Sequence, residues 1–352
     1  MGKAVRYSAR QIGLASIIHP MSTFIEKLRD NYVERTPHMR DIGLRITELD
    51  ASHATMLMPA SPRWLGDPGR GMLHPGPLTV LADSCCGLAI SAALPRPVPM
   101  ATLDLRMDYL RRAGPEMDVY CEARCIRIAR NVAFVDAQVW QDDRSRPIAI
   151  ARGAFMMSTA KGKRPEVAGG IASSEADKPV VTQPAVTKLA VTQTAAAANT
   201  ASQTTVAATA IEPWQPPVRS EPVLPERPIP YADYLGIRVS QTATGPLFRL
   251  PYNEKLIGNP RLPALHGGVV AGFAETAALL HVIQSLQGSK FPKSIDFSMD
   301  YLRSGKPQDT FASCEVVRVG TRVALVQIRC WQSSPDYPIT VARVHLLLTD
   351  PE

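Results

Sequence analysis

The sequence predicts an α+β protein made of two copies of one module, each a curved antiparallel sheet around one long central helix. Three observations support this prediction. An internal repeat relates the two halves of the chain. Each half contains one long helix-compatible segment that is apolar on every side. Each such segment is followed by stretches in which apolar and polar residues alternate, which is the pattern of half-buried strands.

The repeat is clearest in the segment DLRMDYLR (Asp104–Arg111), which recurs 192 residues later as DFSMDYLR (Asp296–Arg303). Further pairs at this offset, or at one residue less, are His74 and His266, Asp83 and Glu275, LGDP and IGNP, and PIAIAR and PITVAR. So many matches in one register indicate a duplicated module of roughly 120 residues, which is a typical domain size.

The 352 residues therefore divide into two modules and two other segments. We predict a first module at 31–158 and a second at 229–352, with an N-terminal extension at 1–30. An Ala/Thr/Pro-rich linker at 159–228 joins the modules. The linker has few large apolar residues and no period that could build a core, so we expect it to be disordered.

Within each module the predicted order is one strand, one helix and four strands. The predicted elements of the first module are a strand at 43–58, a helix at 76–94, and strands at 100–110, 118–129, 131–142 and 147–157. The second module repeats the first strand at 236–250 and the helix at 267–287. A helix that is apolar all round must be enclosed by other structure. A strongly curved sheet wrapped around it, the hotdog arrangement, would enclose it.

Composition excludes several classes of function. The net charge of +7 is compatible with an anionic ligand, but the basic residues form no block, so we expect no nucleic-acid partner. The six cysteines form no C-x-x-C pair, and no His follows at zinc spacing, so we expect no metal site. Unpatterned cysteines are typical of a reducing compartment, and no uninterrupted apolar run has membrane-spanning length. We therefore expect a cytoplasmic protein.

The chemistry is predicted by the start of each apolar helix. LHPGPLTVLAD (Leu73–Asp83) and LHGGVVAGFAE (Leu265–Glu275) share a His, a Gly two residues later and an acid nine residues after the His. Free N–H groups and the helix dipole at such a start can hold a carbonyl oxygen as it gains negative charge. A nearby carboxylate can attack the carbonyl or activate a water molecule. The pattern favours thioester hydrolysis, and no Ser-His-Asp or Cys-His-Asn arrangement is evident.

This duplicated motif resembles the hotdog-fold acyl-CoA thioesterases of the phenylacetate-pathway (PaaI-like) type. The resemblance implies that the residue after the His donates its N–H to the thioester carbonyl and that the acid is the nucleophile or base. It also implies helper roles for an upstream Asn and for a Ser or Thr that opens the next strand. The matching positions are Asn259, His266, Gly267, Glu275 and Ser294 in the second module, and Asp67, His74, Pro75, Asp83 and Thr102 in the first.

The resemblance further implies an acyl-CoA substrate, with coenzyme A as part of the substrate and no separate cofactor. It implies a homo-oligomer, a dimer of double-hotdog chains. On the residues alone, Thr102 and Ser294 could equally be ordinary polar strand positions. Arg111, Arg112 and Arg303 could meet coenzyme A phosphates or simply occupy a solvated turn.

Helix geometry decides how the motif residues combine. Nine helical residues rise ~13 Å, so an acid cannot reach a carbonyl held at the start of its own helix. The two modules must therefore share their sites across antiparallel helices, with Asp83 facing Gly267 and Glu275 facing Pro75. The two histidines are expected to orient the helix start rather than act as bases.

Because proline has no N–H, only one of the two sites keeps its oxyanion donor. We predict a competent catalytic site formed by Asp83, Gly267, His266, Asn259 and Thr102. The second, impaired site contains Glu275, His74 and Ser294.

Two other functions stay open at this point. The protein could be a non-catalytic acyl-CoA-binding hotdog protein, because Pro75 shows that one site has changed. It could also be a hotdog enoyl-CoA hydratase, although no D-x-N-x-x-H run is present. The acyl group is not determined by the sequence.

Overall fold

The computed structural model describes residues 24–157 and 229–350. The predicted linker at 159–228 and most of the predicted N-terminal extension lie outside the described residues. The described ranges contain one duplicated set of helices and strands. In the first module these are α1 (24–31), α2 (Pro37–Ile42), β1 (Arg45–Leu49), β2 (His53–Met58), β3 (Leu65–Asp67), β4 (Met72–Leu73), α3 (Pro75–Ala92), β5 (Met100–Tyr109), β6 (Val119–Ile128), β7 (Val132–Trp140) and β8 (Ala149–Met157). In the second they are α4 (Pro230–Leu235), β9 (Arg238–Thr242), β10 (Gly245–Leu250), β11 (Ile257–Asn259), β12 (Ala264–Leu265), α5 (Gly267–Ser285), β13 (Phe291–Tyr301), β14 (Thr310–Val319), β15 (Val323–Trp331) and β16 (Thr340–Thr349).

The single strand predicted at 43–58 is wrong, because the structure has a hairpin there, β1 and β2. The turn is stabilised by the Asp50 carboxylate, which accepts a hydrogen bond from the Ser52 N–H at 3.1 Å. The second module repeats the hairpin as β9 and β10, where Gly245 has a φ of +121°. Asp and Gly are turn formers, but the apolar pattern continues on both sides of each turn and conceals it.

The strands form one antiparallel sheet of twelve, in the order β1-β2-β6-β7-β8-β5-β13-β16-β15-β14-β10-β9. The modules join edge to edge, since β5 pairs with β13. Arg106 lies opposite Ser298, its own equivalent in the repeat, and so marks the pseudo-twofold axis between the modules. The predicted tandem hotdog architecture, an internal pseudo-dimer, is confirmed.

The central helices α3 and α5 lie antiparallel and in close contact. A Cβ atom on Gly268 would lie 2.6 Å from the Val80 Cα, and one on Gly76 would lie 3.0 Å from the Gly272 Cα. Each helix is thus covered on one side by its own module's half of the sheet and on the other side by the other helix, which is why both are apolar all round. Among the described residues, α5 alone has the length and hydropathy of a membrane span, and 78% of that window is buried within the protein.

We expect Gly268→Ala to destabilise the protein, because the added methyl group would meet helix backbone rather than a movable side chain. Overpacking of this kind costs about 1–3 kcal/mol of unfolding free energy. The matched control is Gly114→Ala, because a Cβ there has no neighbour within 4 Å. Denaturant unfolding of both variants measures the difference, and equal stabilities would contradict the close helix contact.

Candidate active site

Asp83, on α3 of the first module, contacts both modules. Its Oδ1 accepts a hydrogen bond from the Thr102 hydroxyl at 2.9 Å, and its Oδ2 accepts one from the Gly268 N–H at 2.8 Å. Gly268 is the second residue of α5, in the other module. The carboxyl group is buried but keeps some access to solvent, since Asp83 is 6% exposed. The acid of the first module thus contacts the helix start of the second module, as the sequence predicts.

The Gly267 amide remains available. It was expected to face Asp83, but the amide that binds the carboxylate is that of Gly268, one residue later. Within the described ranges the Gly267 N–H has no hydrogen-bond acceptor. A Cβ on Gly267 would lie 3.0 Å from the Asp83 Oδ2 and 3.2 Å from the Thr102 Oγ1, so residue 267 adjoins the carboxylate. The Tyr301 hydroxyl donates to the Gly267 carbonyl at 2.9 Å and holds this turn.

His266 caps the start of α5. Its Nδ1 accepts from the Gly268 N–H at 3.1 Å, and its Nε2 lies 3.2 Å from the Ser84 Oγ. The Ser84 hydroxyl in turn donates to the Val80 carbonyl at 2.7 Å, which assigns the ring proton to Nε2. Burial lowers the pKa of His266, with the Asp83 charge opposing it, so the ring is neutral.

His74 makes the equivalent contacts in the other half. Its Nδ1 accepts from the Gly76 N–H at 2.9 Å, its Nε2 lies 3.4 Å from the Thr276 Oγ1, and burial lowers its pKa to about 3. In both histidines the two ring nitrogens are occupied. These contacts place both histidines at the helix starts, where the sequence predicts them, and their orienting role stays a prediction.

The predicted upstream helpers are held in turns. The Asn259 Oδ1 accepts the N–H groups of Arg261 and Leu262 at 3.0 and 3.2 Å. Asp67 accepts the Arg70 N–H at 3.2 Å and forms an ion pair with its guanidinium at 3.3 Å. The Asn259 side chain has no described contact with Asp83, and the two turn amides that donate to its Oδ1 explain why it stays in the turn.

Glu275 has a different environment. It is 0% exposed, and its Oε2 accepts hydrogen bonds from the hydroxyls of Tyr109 at 3.0 Å and Thr79 at 3.4 Å. Among the described residues no amide N–H donates to it: Pro75 has no N–H, and the Gly76 N–H donates to His74. Sequence reasoning missed Tyr109 and Thr79. Tyr109 could have been found, because it lies in the repeated DYLR segment opposite Tyr301 of the other copy.

Burial raises the pKa of Glu275 to about 8, while the hydroxyls of Ser294, Tyr109 and Thr79 oppose the shift. Neither the Ser294 Oγ nor the Glu275 Oε1 has another hydrogen-bond partner among the described residues. Glu275 is therefore mostly protonated at neutral pH, unlike a carboxylate that serves as a nucleophile.

The Glu275 carboxyl should make stability depend on pH. Between about 4.5 and about 8 the native state holds a proton that the unfolded state has lost, so stability falls as pH rises across this window. Glu275→Gln removes this pH-dependent loss of unfolding free energy, because glutamine does not ionise. The loss is about 1.4 kcal/mol for each unit by which the pKa is raised. We expect the melting temperature of the variant to rise relative to that of the wild type from pH 5.5 to about pH 8, and the difference to stay constant above that pH. The exposed Glu315→Gln is the control, and a pH-independent difference would contradict the assignment.

A pocket open to solvent lies on the Glu275 half. Its walls include the residues Pro75, Leu78, Leu279, Ile283, Phe291 and Ser294. Arg111 and Arg112 also line it, as the phosphate hypothesis requires, whereas the Arg303 guanidinium donates to the Pro338 carbonyl at 2.6 Å. Residues 24–157 and 229–350 contain no cluster of three His, Cys, Asp or Glu side chains that could hold a metal ion.

Comparison with known proteins yields one family. The model of the thioesterase superfamily matches residues 70–148 and 262–339, one segment in each module. A curated protein of Halobacterium salinarum named "putative esterase" is 35% identical over 95 residues, which are 25% of this chain. The chain spans 62% of the length of that relative.

Two solved structures match across most of the chain. One, from Novosphingobium aromaticivorans, is described as a "putative thioesterase"; it has a TM-score of 0.54 at 15% identity and covers 86% of this chain and 98% of its own. The other is a hot dog fold protein of unknown function from Alicyclobacillus acidocaldarius, with a TM-score of 0.52 at 12% identity, covering 85% of this chain and 94% of its own. At these identities both show the fold alone.

Proposed function

We propose that the protein, each of whose modules contains a segment matched by the thioesterase superfamily model, hydrolyses acyl-CoA thioesters with Asp83 as nucleophile or general base. The observation that carries the proposal is the contact of Asp83 with the first turn of α5, where it accepts the Gly268 N–H beside the unpaired Gly267 N–H. A carboxylate and a free helix-start amide are the two groups that acyl transfer needs.

In the proposed reaction the thioester carbonyl oxygen accepts the Gly267 N–H, and the positive end of the α5 dipole stabilises the charge that develops there. Asp83 either attacks the carbonyl carbon or takes a proton from the attacking water. The carbon–sulfur bond breaks, the sulfur leaves as the coenzyme A thiolate, and water supplies the hydroxyl of the acid product. Thr102 positions the carboxylate through its hydrogen bond to Oδ1.

The test is release of free thiol from a series of short, long and aryl acyl-CoAs by the full chain. We expect hydrolysis of at least one member, with loss of the activity in Asp83→Asn. Saturable binding without thiol release would instead favour the non-catalytic binder, and loss of enoyl absorbance would favour the hydratase.

The proposal includes a cytoplasmic homodimer of double-hotdog chains. Support comes from the six free cysteines, which suit a reducing compartment. Light scattering should give twice the chain mass of 38.3 kDa, and a monomer mass would exclude the dimer.

A further inference from the structure

Tyr32 lies directly after α1 and covers the central helix of the first module beside the proposed active site. Its hydroxyl donates to the Ser84 carbonyl at 3.1 Å, so the phenol reaches the residue that follows Asp83. Burial raises the pKa of this phenol and the Asp83 charge adds to the shift, so the hydroxyl keeps its proton. The proposed hydrolysis assigns no role to Tyr32.

Gly87 is the residue of α3 that the end of the Tyr32 side chain covers. A Cβ atom on Gly87 would lie 2.7 Å from the Tyr32 hydroxyl oxygen, so any larger residue at 87 would displace the ring from this position. Gly87 comes four residues after Asp83, on the same face of α3 and about 6 Å further along the helix axis. Tyr32 thus closes the space beside α3 one turn beyond the carboxylate.

The Glu275 half shows where this space leads. Leu279 and Ile283 of α5 correspond in the repeat to Gly87 and Ser91 of α3, which lie 192 residues earlier. Leu279 and Ile283 both line the pocket on the Glu275 half, so that pocket runs along α5 toward the end of the helix. The matching slot of the other half runs along α3 past Gly87 and Ser91. This slot is wider at the helix, because glycine and serine replace leucine and isoleucine.

The backbone of Tyr32 is held on both sides. Its N–H donates to the Leu28 carbonyl at 2.9 Å, and its carbonyl accepts a hydrogen bond from the Thr36 hydroxyl at 3.0 Å. Leu28 and Val33 also pack against the core. These contacts fix the ring over Gly87, so Tyr32 forms a wall for a ligand that follows α3.

We propose that Tyr32 is a specificity-determining residue, which closes the slot along α3 at Gly87 and restricts the Asp83 site to short acyl groups. An acyl chain that starts at the carboxylate and follows α3 advances about 6 Å before it meets the ring. A butyryl group is shorter than this distance, and an octanoyl group is longer. The inference rests on the proposed hydrolysis and adds the class of its substrate.

The test is the ratio of kcat/KM for octanoyl-CoA to kcat/KM for butyryl-CoA, measured by thiol release on the full chain. We expect a ratio below one in the wild type and a rise of at least about tenfold in Tyr32→Ala, because loss of the ring leaves room for the additional methylene groups. Tyr337→Ala, the same change at a tyrosine that is 64% exposed, is the matched control and should keep the wild-type ratio. A purely structural defect would lower both rates together and leave the ratio unchanged.

Two further variants locate the effect. Gly87→Leu in the Tyr32→Ala chain places the leucine of the second module in the opened slot and should return the ratio toward the wild-type value. Tyr32→Leu keeps an apolar cover over α3 without the ring, and it decides the matter if melting curves show that Tyr32→Ala does not fold. Its ratio should rise in the same direction. The inference is overturned by a wild-type preference for octanoyl-CoA, by an unchanged ratio in the folded Tyr32 variants, or by a gain that Gly87→Leu does not reverse.

Failure of this inference is distinct from failure of the proposed function. If the wild-type chain cleaves butyryl-CoA and the variants show the same ratio, the role of Tyr32 is lost and the hydrolysis stands. If the wild-type chain cleaves neither acyl-CoA, the hydrolysis fails. Calorimetric titration of the same chains with the two acyl-CoAs then tests the slot, because the ratio of their dissociation constants should change in the same way.

Discussion

Asp83→Asn is expected to lower kcat for thioester hydrolysis by about 10²–10⁴-fold, the range typical for loss of a positioned acid or base. Asparagine has the shape of aspartate and can still accept the Gly268 N–H, so the fold should persist. Its amide can neither attack a carbonyl nor take up a proton. Initial rates of thiol release measure the effect, with melting curves to show that the variant is folded.

The matched control for this prediction is Glu275→Gln, the same chemical change at the equivalent position of the repeat. We expect it to keep most of the activity, because Glu275 is fully buried and, within residues 24–157 and 229–350, accepts hydrogen bonds from hydroxyl groups rather than from an amide. Equal losses in the two variants, or loss in Glu275→Gln alone, would refute the asymmetric site.

Gly267→Pro is expected to lower kcat by about 10²–10³-fold relative to Gly267→Ala. Proline removes the N–H that we assign to the oxyanion, whereas alanine keeps it. Both variants add a Cβ at 3.0 Å from the Asp83 Oδ2, so this crowding is common to the two, and proline differs from alanine by the ring carbon Cδ that replaces the N–H. The fold should accept proline, since Pro75 occupies the equivalent first position of α3 and a first helical position tolerates it.

The loss should fall on kcat more than on KM, because the oxyanion forms only as the transition state is approached. Steady-state kinetics of the two variants on one acyl-CoA provide the measurement. Identical kcat values for the alanine and proline chains would show that the Gly267 amide takes no part.

Much of the architecture could be predicted from local patterns. The offset between Asp104–Arg111 and Asp296–Arg303 indicates the duplication, and the apolar helix segments indicate enclosure by a sheet. The nine helical residues that separate each His from its acid place the acid too far from the start of its own helix, so the sites must be shared between the modules. The hairpin at β1 and β2 was not predicted, because alternation alone does not show where a strand reverses.

By itself, the sequence determined the tandem hotdog fold, the pairing of each module's acid with the other module's helix start, and the loss of one N–H at Pro75. These follow from periodicity, spacing and covalent structure, all of which are local. Only the tertiary structure decided that Gly268 binds Asp83, that Asn259 stays in its turn, and that Tyr109 covers Glu275. Such choices depend on where side chains from distant segments meet and which buried donors are already occupied, and no spacing along the chain records that.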